Sequence, residues 1–325
     1  MRVRVIVVSW NSGEHLPRCL ACLNATDWPG DALEIVVVDN GSTDGSTLDW
    51  SIHHPNVELR QTGRNRGFGG AANVGLADLD GLDAVALVNP DAFVEPGWLT
   101  PLANALLADA GVGAASPKIL FDAPDERGRP VINNVGNILG PTWELHDRGY
   151  GEVDAGQYDG PEEVWGWCGG AVLLRRQYLD DVGRFDARLF LYAEDVDLSW
   201  RGRRRGWRYA YVPSSVVRHS HRASSGGERT PLLDHLNRRN RLVVVTRHGG
   251  PRGSAIAWGR TLGGIASAVF SEVLLPAARR GHVDLAPLRR RCRAASDAAR
   301  LLLGGDPAVP GLDDGLDDSP SEHAP

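Results

Sequence analysis

Four short runs of aliphatic and β-branched residues, at 3–8, 33–38, 84–88 and 112–116, alternate with stretches that read as helices at 15–23, 69–79 and 96–107. Runs that are apolar at nearly every position, not at alternate ones, describe strands buried on both faces. Strand–helix alternation of this kind leaves few folds open: a mostly parallel central sheet flanked by helices on both sides. Ligands of such sheets gather beyond the carboxyl ends of the strands. The residues found there are Ser9-Trp10-Asn11, Asp39-Asn40-Gly41-Ser42 and Asn89-Pro90-Asp91.

The alternation stops at 122–164, a Gly-, Pro- and Asp-rich segment expected to form a long loop or hairpin bordering the site. Order returns at 165–176, followed by a helix over 194–205 and a strand over 207–212. Beyond 231 the pattern is helical, at 232–247, 255–275 and 285–303. The tail 304–325 has almost no large apolar residues and is expected to be disordered. This divides the chain into an α/β domain at 1–250, a C-terminal helical region at 251–303 and an acidic tail.

Composition excludes several classes. A net charge of -6 gives no sign of nucleic-acid binding. Cys19 and Cys22 form a C-x-x-C inside an apolar helical pattern with no second pair nearby, which favours buried thiols over zinc or redox chemistry. No disulfide is demanded, so a cytoplasmic setting fits. Residues 1–8 are too short for a signal-peptide core, and 255–275 carries Arg260 and Glu272, which argues against a bilayer span.

Five segments carry candidate chemistry. Glu194, Asp195 and Asp197 crowd the start of a helix, where a carboxylate can take a proton from an alcohol or simply cap the helix. Asp197 lies four residues before Arg201, the spacing of a helical ion pair, whereas Glu194 is balanced between acceptor contact and capping. The helix dipole lowers the pKa of Asp195 and its acidic neighbours raise it; sequence leaves that balance open. Asp39 ends a buried strand, where it suits a nucleobase or ribose or, equally, a tight turn. The Gly-rich lead 64–75 can bring backbone N–H groups to an anion, although it is neither a P-loop nor a dinucleotide fingerprint. Asp91 can hold a divalent cation against a diphosphate or cap a turn. His219 and His221 form an H-x-H beside it.

Taken in order, Val-Val-Ser-Trp-Asn11, Val-Asp39-Asn-Gly-Ser-Thr-Asp44, Asn65-Arg-Gly-Phe-Gly-Gly-Ala-Ala-Asn73, Asn89-Pro-Asp91, Gly169-Gly-Ala-Val-Leu-Leu-Arg-Arg176, Gly183-Arg-Phe-Asp186, Glu194-Asp-Val-Asp-Leu198 and His219 resemble the glycosyltransferase family 2 enzymes of GT-A fold. The likeness spans about 3–249 and is nearest the bacterial rhamnosyltransferases and galactofuranosyltransferases of cell-surface polysaccharide assembly. It implies a GT-A, Rossmann-like sheet with a C-terminal helical appendage. It also implies that Ser9, Asn11, Asp39, Asn65, Gly67, Asn73, Asn89 and Asp91 bind the nucleotide sugar. Asp91 and His219 would hold Mg²⁺ or Mn²⁺, Asp195 would be the base, and Trp167, Gly169, Gly170 and Glu194 would shape the sugar and acceptor pocket. Asn89 stands where the family's D-x-D motif has its first Asp, a weaker ligand.

The implied reaction is metal-assisted inverting transfer from a dTDP- or UDP-sugar, L-rhamnose foremost, to a saccharide or lipid-linked hydroxyl. A galactofuranosyl- or other hexosyltransferase acting on a small molecule is the alternative within the class. Outside it stands a non-catalytic nucleotide-sugar-binding or membrane-scaffold protein, which would not need Asp91, Asp195 and His219 in one pocket. The apolar 255–275 segment and the arginines at 279–293 suit either a peripheral contact with the inner face of the cell membrane or a helical cap on the sheet.

Overall fold

The computed structural model describes the 325 residues except 30–31, 49, 142, 144, 221–229, 279–282, 284 and 306–325. The expectations for His221, for Arg279 and Arg280 and for the tail beyond 305 lie outside the described residues. The chain begins β1 (Val3–Ser9), α1 (His15–Asn24), β2 (Leu33–Asp39), α2 (Trp50–His53), β3 (Glu58–Gln61), α3 (Gly67–Gly75) and β4 (Ala84–Val88). It continues with β5 (Ala92–Val94), α4 (Leu99–Ala108) and β6 (Val112–Phe121). The polar excursion holds short strands, β7 (Ile132–Asn134), β8 (Asn137–Leu139), β9 (Leu145–Asp147) and β10 (Glu162–Val164). Then come β11 (Ala171–Arg175), α5 (Arg176–Val182), α6 (Glu194–Arg204) and β12 (Arg208–His219). The remainder is helical: α7 (Pro231–His248), α8 (Gly250–Ala268), a π-helical turn (Val269–Leu274), α9 (Leu275–Ala278) and α10 (Ala286–Leu302).

The main sheet has the order β10-β12-β6-β11-β4-β1-β2-β3. Strands β4, β1, β2 and β3 are parallel, as the alternation predicts, and so are β6 and β12. Between these groups β11 runs antiparallel to both β4 and β6. Side chains of a strand alternate between faces. Val3, Val5 and Val7 therefore join Leu16, Leu20, Leu99 and Leu102 of α1 and α4 on one face. Ile6, Val36 and Val85 join Ala72 of α3 and Leu179 of α5 on the other. A third core combines Val196 and Trp200 of α6, Leu242 to Val245 of α7, and Ala298 and Leu301 of α10. The expected division at 250 is thus crossed by one apolar core that includes the helix of Asp195.

One strand is longer than its sequence suggests. The run 207–212 stops at Pro213, which reads as a terminator, yet β12 resumes after a register shift between Val212 and Val216 and continues to His219. A bulge absorbs the proline, which has no N–H for the ladder. His219 is therefore the last residue of a strand paired with Ala92 of β5 and Phe121 of β6, not part of a following loop.

Candidate active site

Because β1 and β2 are parallel and in register, Ser9 lies beside Asp39 and both strands end at the same rim. Both Asp39 oxygens accept bonds, from Ser42 N–H (2.9 Å) and Thr47 Oγ1 (3.1 Å). Asn11 adopts a positive φ of 49°, and its Oδ1 accepts from Thr43 N–H (2.7 Å), joining the two strand-tip loops. Ser9 is fully buried with its Oγ 3.0 Å from Ser12 Oγ, so its hydroxyl braces the loop and does not face outward. Asn65 Oδ1 accepts from Asn40 Nδ2 (3.0 Å) and Gly67 N–H (2.9 Å).

Two of the expected ligand-binding residues are committed to the protein itself. Asn73 exchanges both of its amide bonds with the Phe185 backbone, at 3.0 and 3.1 Å, and so fixes the 183–186 turn. Gly67, expected to let an anion approach, instead lets backbone approach: its φ is +72°, and a Cβ there would lie 2.2 Å from the Phe190 carbonyl oxygen. The Phe68 N–H at the start of α3 donates to that same oxygen (2.7 Å).

At the tips of β4 and β12 a second group forms. His219 Nε2 is 3.1 Å from Asp91 Oδ1 and 3.5 Å from Asn89 Nδ2, while Nδ1 is 3.0 Å from Asn133 Oδ1. Nδ1 therefore faces an amide oxygen, and Nε2 is the atom turned toward Asp91. Asp91 is 3% exposed. Burial is the largest influence and pushes its pKa up, but the hydrogen bond and charge of His219, with the Asp91 backbone N–H and the His15 charge, together leave the carboxyl below its ordinary value. A nitrogen and an ionised carboxylate, the first oriented by an outer amide, suit Mg²⁺ or Mn²⁺. Among the described residues no group of three or more His, Cys, Asp or Glu side chains could enclose a metal. The pair therefore fits a cation whose remaining ligands come from a diphosphate and water.

The third group heads α6. Asp195 Oδ2 accepts from Gly169 N–H (3.0 Å) and Oδ1 from Val196 N–H (2.8 Å). Burial is the largest influence and raises its pKa; these two N–H bonds lower it in part, and the charge of Asp147 raises it again. Burial therefore decides the balance that sequence left open. Glu194, 7% exposed, is raised as well, first by burial and then by the Asp195 charge. Its Oε2 has no hydrogen-bond partner among the described residues, and the N-cap position of α6 is Ala193, which offers no side-chain cap. Asp197 has the opposite setting: burial would raise it, but His248 Nε2 (2.8 Å) and Arg201 Nε (2.9 Å) hold it low.

The turn 168–170 joins the two carboxylate centres. Gly169 binds Asp195, and the Gly170 carbonyl accepts from Asn89 N–H (2.9 Å). A Cβ at Gly169 would lie 3.7 Å from Asp195 Oδ2; one at Gly170 would lie 3.6 Å from His219 Cε1. Asp195 thus borders the turn at Gly169, and His219, with Asp91 bonded to it, borders it at Gly170. Trp167 is fully buried, its indole set edge-on against Phe185. At this turn the Gly169 backbone N–H meets Asp195 while the Trp167 side chain packs in the core.

Two contributors lie in the segment 122–164, expected to be a loop or hairpin bordering the site. Asn133 orients His219, and Asp147, hydrogen-bonded by Asn134 Nδ2 (2.8 Å), places a further carboxyl toward Asp195. The available signal was Asn133-Asn134 after an apolar pair, a polar couple ending a buried strand.

Residues 4–183 match glycosyl transferase family 2. The chain is 33% identical over 274 residues to an N-acetylglucosaminyl-diphospho-decaprenol L-rhamnosyltransferase of Mycobacterium tuberculosis, covering 78% of this chain and 87% of that protein. Two solved structures share the fold. TarS of S. aureus (residues 1–349), in complex with UDP-GlcNAc, superposes with a TM-score of 0.54 at 18% identity, covering 93% of this chain and 82% of the other. The mannosyltransferase PcManGT of Pyrobaculum calidifontis, in complex with GDP-Man and Mn²⁺, gives 0.51 at 21% identity over 93% and 87%. With its GT-A sheet and this set of strand-tip residues, the chain belongs to glycosyltransferase family 2 and is a glycosyltransferase.

Proposed function

We propose that the protein transfers a sugar, L-rhamnose in the first instance, from a dTDP- or UDP-sugar to a hydroxyl of a lipid-linked saccharide in cell-surface polysaccharide synthesis. The observation that carries this reading is the 168–170 turn, where Gly169 meets Asp195 and Gly170 meets His219 of the Asp91–His219 pair. The mycobacterial relative's name supports both the sugar and the acceptor class.

In this reading the Asp39, Asn11 and Asn65 rim receives the nucleotide. Asp91 and His219 would hold Mg²⁺ or Mn²⁺, and such a cation would supply positive charge to the departing diphosphate. Asp195 accepts the acceptor's hydroxyl proton while the oxygen attacks the anomeric carbon. The bond from that carbon to the diphosphate oxygen breaks, its electron pair leaves with the nucleoside diphosphate, and configuration inverts. A carboxylate lifted toward neutral pH by burial is a better base than an ordinary one, and it remains ionised at working pH. Asp39 and the Asn residues orient; they exchange no proton.

The acceptor class also suggests where the protein sits. Among the described residues no helix is long and apolar enough to cross a membrane. Yet α8 and the π turn expose Leu262 (58%), Phe270 (58%) and Leu274 (54%), with Arg252 and Arg260 exposed on α8 and Arg289 and Arg293 exposed on α10. Apolar side chains flanked by guanidinium groups suit the anionic inner face of the cell membrane. Flotation with anionic vesicles should be lost in Leu262→Glu/Phe270→Glu; unchanged flotation would refute the contact.

Nucleoside diphosphate release from a panel of dTDP- and UDP-sugars, with Mg²⁺ or Mn²⁺ and a prenyl-diphosphate-linked saccharide acceptor, tests the central reading. Metal-dependent release from dTDP-L-rhamnose is expected. Release from UDP-galactofuranose alone would favour the alternative transferase, and failure to bind any nucleotide sugar by calorimetry would end the assignment.

A further inference from the structure

The backbone that delivers α6 is strained. Phe190 (φ 65°), Tyr192 (φ 72°) and Ala193 (φ 65°) all lie at positive φ, and none is glycine. Phe190, with ψ -67°, is the centre of a γ-turn of the rare positive-φ kind, closed by Leu191 N–H donating to the Leu189 carbonyl (2.8 Å). Such conformations persist only where surrounding structure over-determines them. Asp195 follows two residues later.

Two side chains of α7, both fully buried, supply that determination. Asn240 Nδ2 lies within hydrogen-bond distance of three carbonyl oxygens of the strained segment: Leu189 (2.7 Å), Tyr192 (2.8 Å) and Leu191 (2.9 Å). An amide has two N–H donors, so three acceptors share them and the carbonyls must converge on one nitrogen. Arg239 Nε donates to Asn240 Oδ1 (2.8 Å), which fixes the amide's orientation. Arg239 Nη2 donates to the carbonyls of Leu189 (2.8 Å) and Arg188 (3.1 Å). From the opposite side, the Phe68 N–H holds the Phe190 carbonyl across the gap left open by Gly67.

We infer that Asn240, aligned by Arg239, is a positioning residue: it holds the 189–193 backbone in the one conformation that sets Asp195 against the Gly169 N–H. The inference rests on the reading of Asp195 as the base. The function is local, because α7 is anchored independently. Arg247 Nη1 binds Asp186 (2.8 Å), His248 binds Asp197, and Leu236, Val243 and Val244 are buried. Removing the Asn240 amide should therefore free the loop without releasing the helix. A displacement of about 1 Å at a reacting group costs on the order of 10²-fold in rate.

The experiment uses the full chain with the nucleotide sugar identified above. Asn240→Ala is expected to lower transfer kcat on the order of 10²-fold while donor affinity stays near wild type and melting stays cooperative. Leu236→Ala, a core truncation on the same helix, should lower the melting temperature and leave kcat intact. In an Asp195→Asn background the Asn240→Ala loss should vanish, because the clamp acts through that carboxylate. Arg239→Lys keeps the charge and loses the fork, so it should give a smaller kcat loss in the same direction if Asn240→Ala does not fold. A kcat unchanged in both variants, a loss matched by lost donor affinity, or additive losses in the double variant would overturn the proposal. If Asp195→Asn turned over like wild type, the base assignment itself would fall; if it were inactive and Asn240→Ala fully active, only the clamp would.

Discussion

Asp91, in the link from β4 to β5, and Asp195, in the first turn of α6, are both buried aspartates near the 168–170 turn, yet their surroundings push them in opposite directions. Asp91 has a histidine against it, and that partner, with the Asp91 backbone N–H and the His15 charge, offsets burial and keeps the carboxyl ionised. Asp195 has no such partner among the described residues: burial raises it most, backbone N–H groups offset this only in part, and the Asp147 charge adds to the rise. The first setting suits a fixed negative charge that holds a cation; the second suits a group that gains and loses a proton. Residue type does not assign the role. The neighbour within hydrogen-bond distance does, and it can be changed one centre at a time.

The sharpest separation comes from removing the proton acceptor alone. Asp195→Asn keeps shape and removes basicity, so transfer should fall by roughly 10²–10⁴-fold, while calorimetry finds donor and metal binding unchanged. On the other side, Asn133→Leu removes the amide that orients His219 without touching either ligand. Loss of such an outer partner typically weakens metal affinity by about 10–100-fold. The expected signature is a higher Mn²⁺ requirement, with kcat recovered at saturating metal. If the two variants exchanged signatures, the division of labour between the centres would be wrong.

Much of this division was legible because a parallel sheet announces its own ligand side. Once the runs 3–8, 33–38 and 84–88 were strands, Asn11, Asp39, Asn89 and Asp91 had to share a rim. The acidic head of α6 was legible too, since three carboxylates in one turn stand out in any sequence. What resisted was information held between distant segments. Pro213 looked like the end of a strand because a bulge is a tertiary accommodation, not a propensity. Trp167 stands beside the glycines of the turn, and only packing shows which way the indole turns. Arg239 and Asn240 lay inside an arginine-rich stretch that resembles a solvated face, whereas both are fully buried.

The pH dependence sharpens the contrast further. A base must be deprotonated, so a raised pKa at Asp195 moves the acid limb of kcat/KM above the ordinary carboxylate range. Asp147 contributes to that rise by its charge, behind the larger effect of burial. Asp147→Asn should therefore shift the limb to lower pH by less than about one unit, measured as a pH–rate profile at saturating metal. A shift to higher pH would mean that the Asp147 carboxyl does not act on Asp195 through its charge.

The smallest expected effect is on stability and follows from Glu194. Its folded-state pKa is raised, chiefly by burial, so between the unfolded value and the folded one the native state binds the extra proton. Stability from this group is complete below the unfolded pKa and is lost as pH rises through the folded pKa. At neutral pH an ionised Glu194 would leave a charged oxygen buried without a partner. Glu194→Gln removes the ionisation and keeps the volume. It should raise the melting temperature at pH 7 by roughly 2–4 °C for each kcal/mol recovered, with a smaller gain near pH 4.5. Asp91→Asn should do the reverse, since its lowered pKa means that the charged form is the one the fold favours. Equal shifts of the same sign in both variants would show that burial alone governs the two centres and that His219 adds nothing to the first.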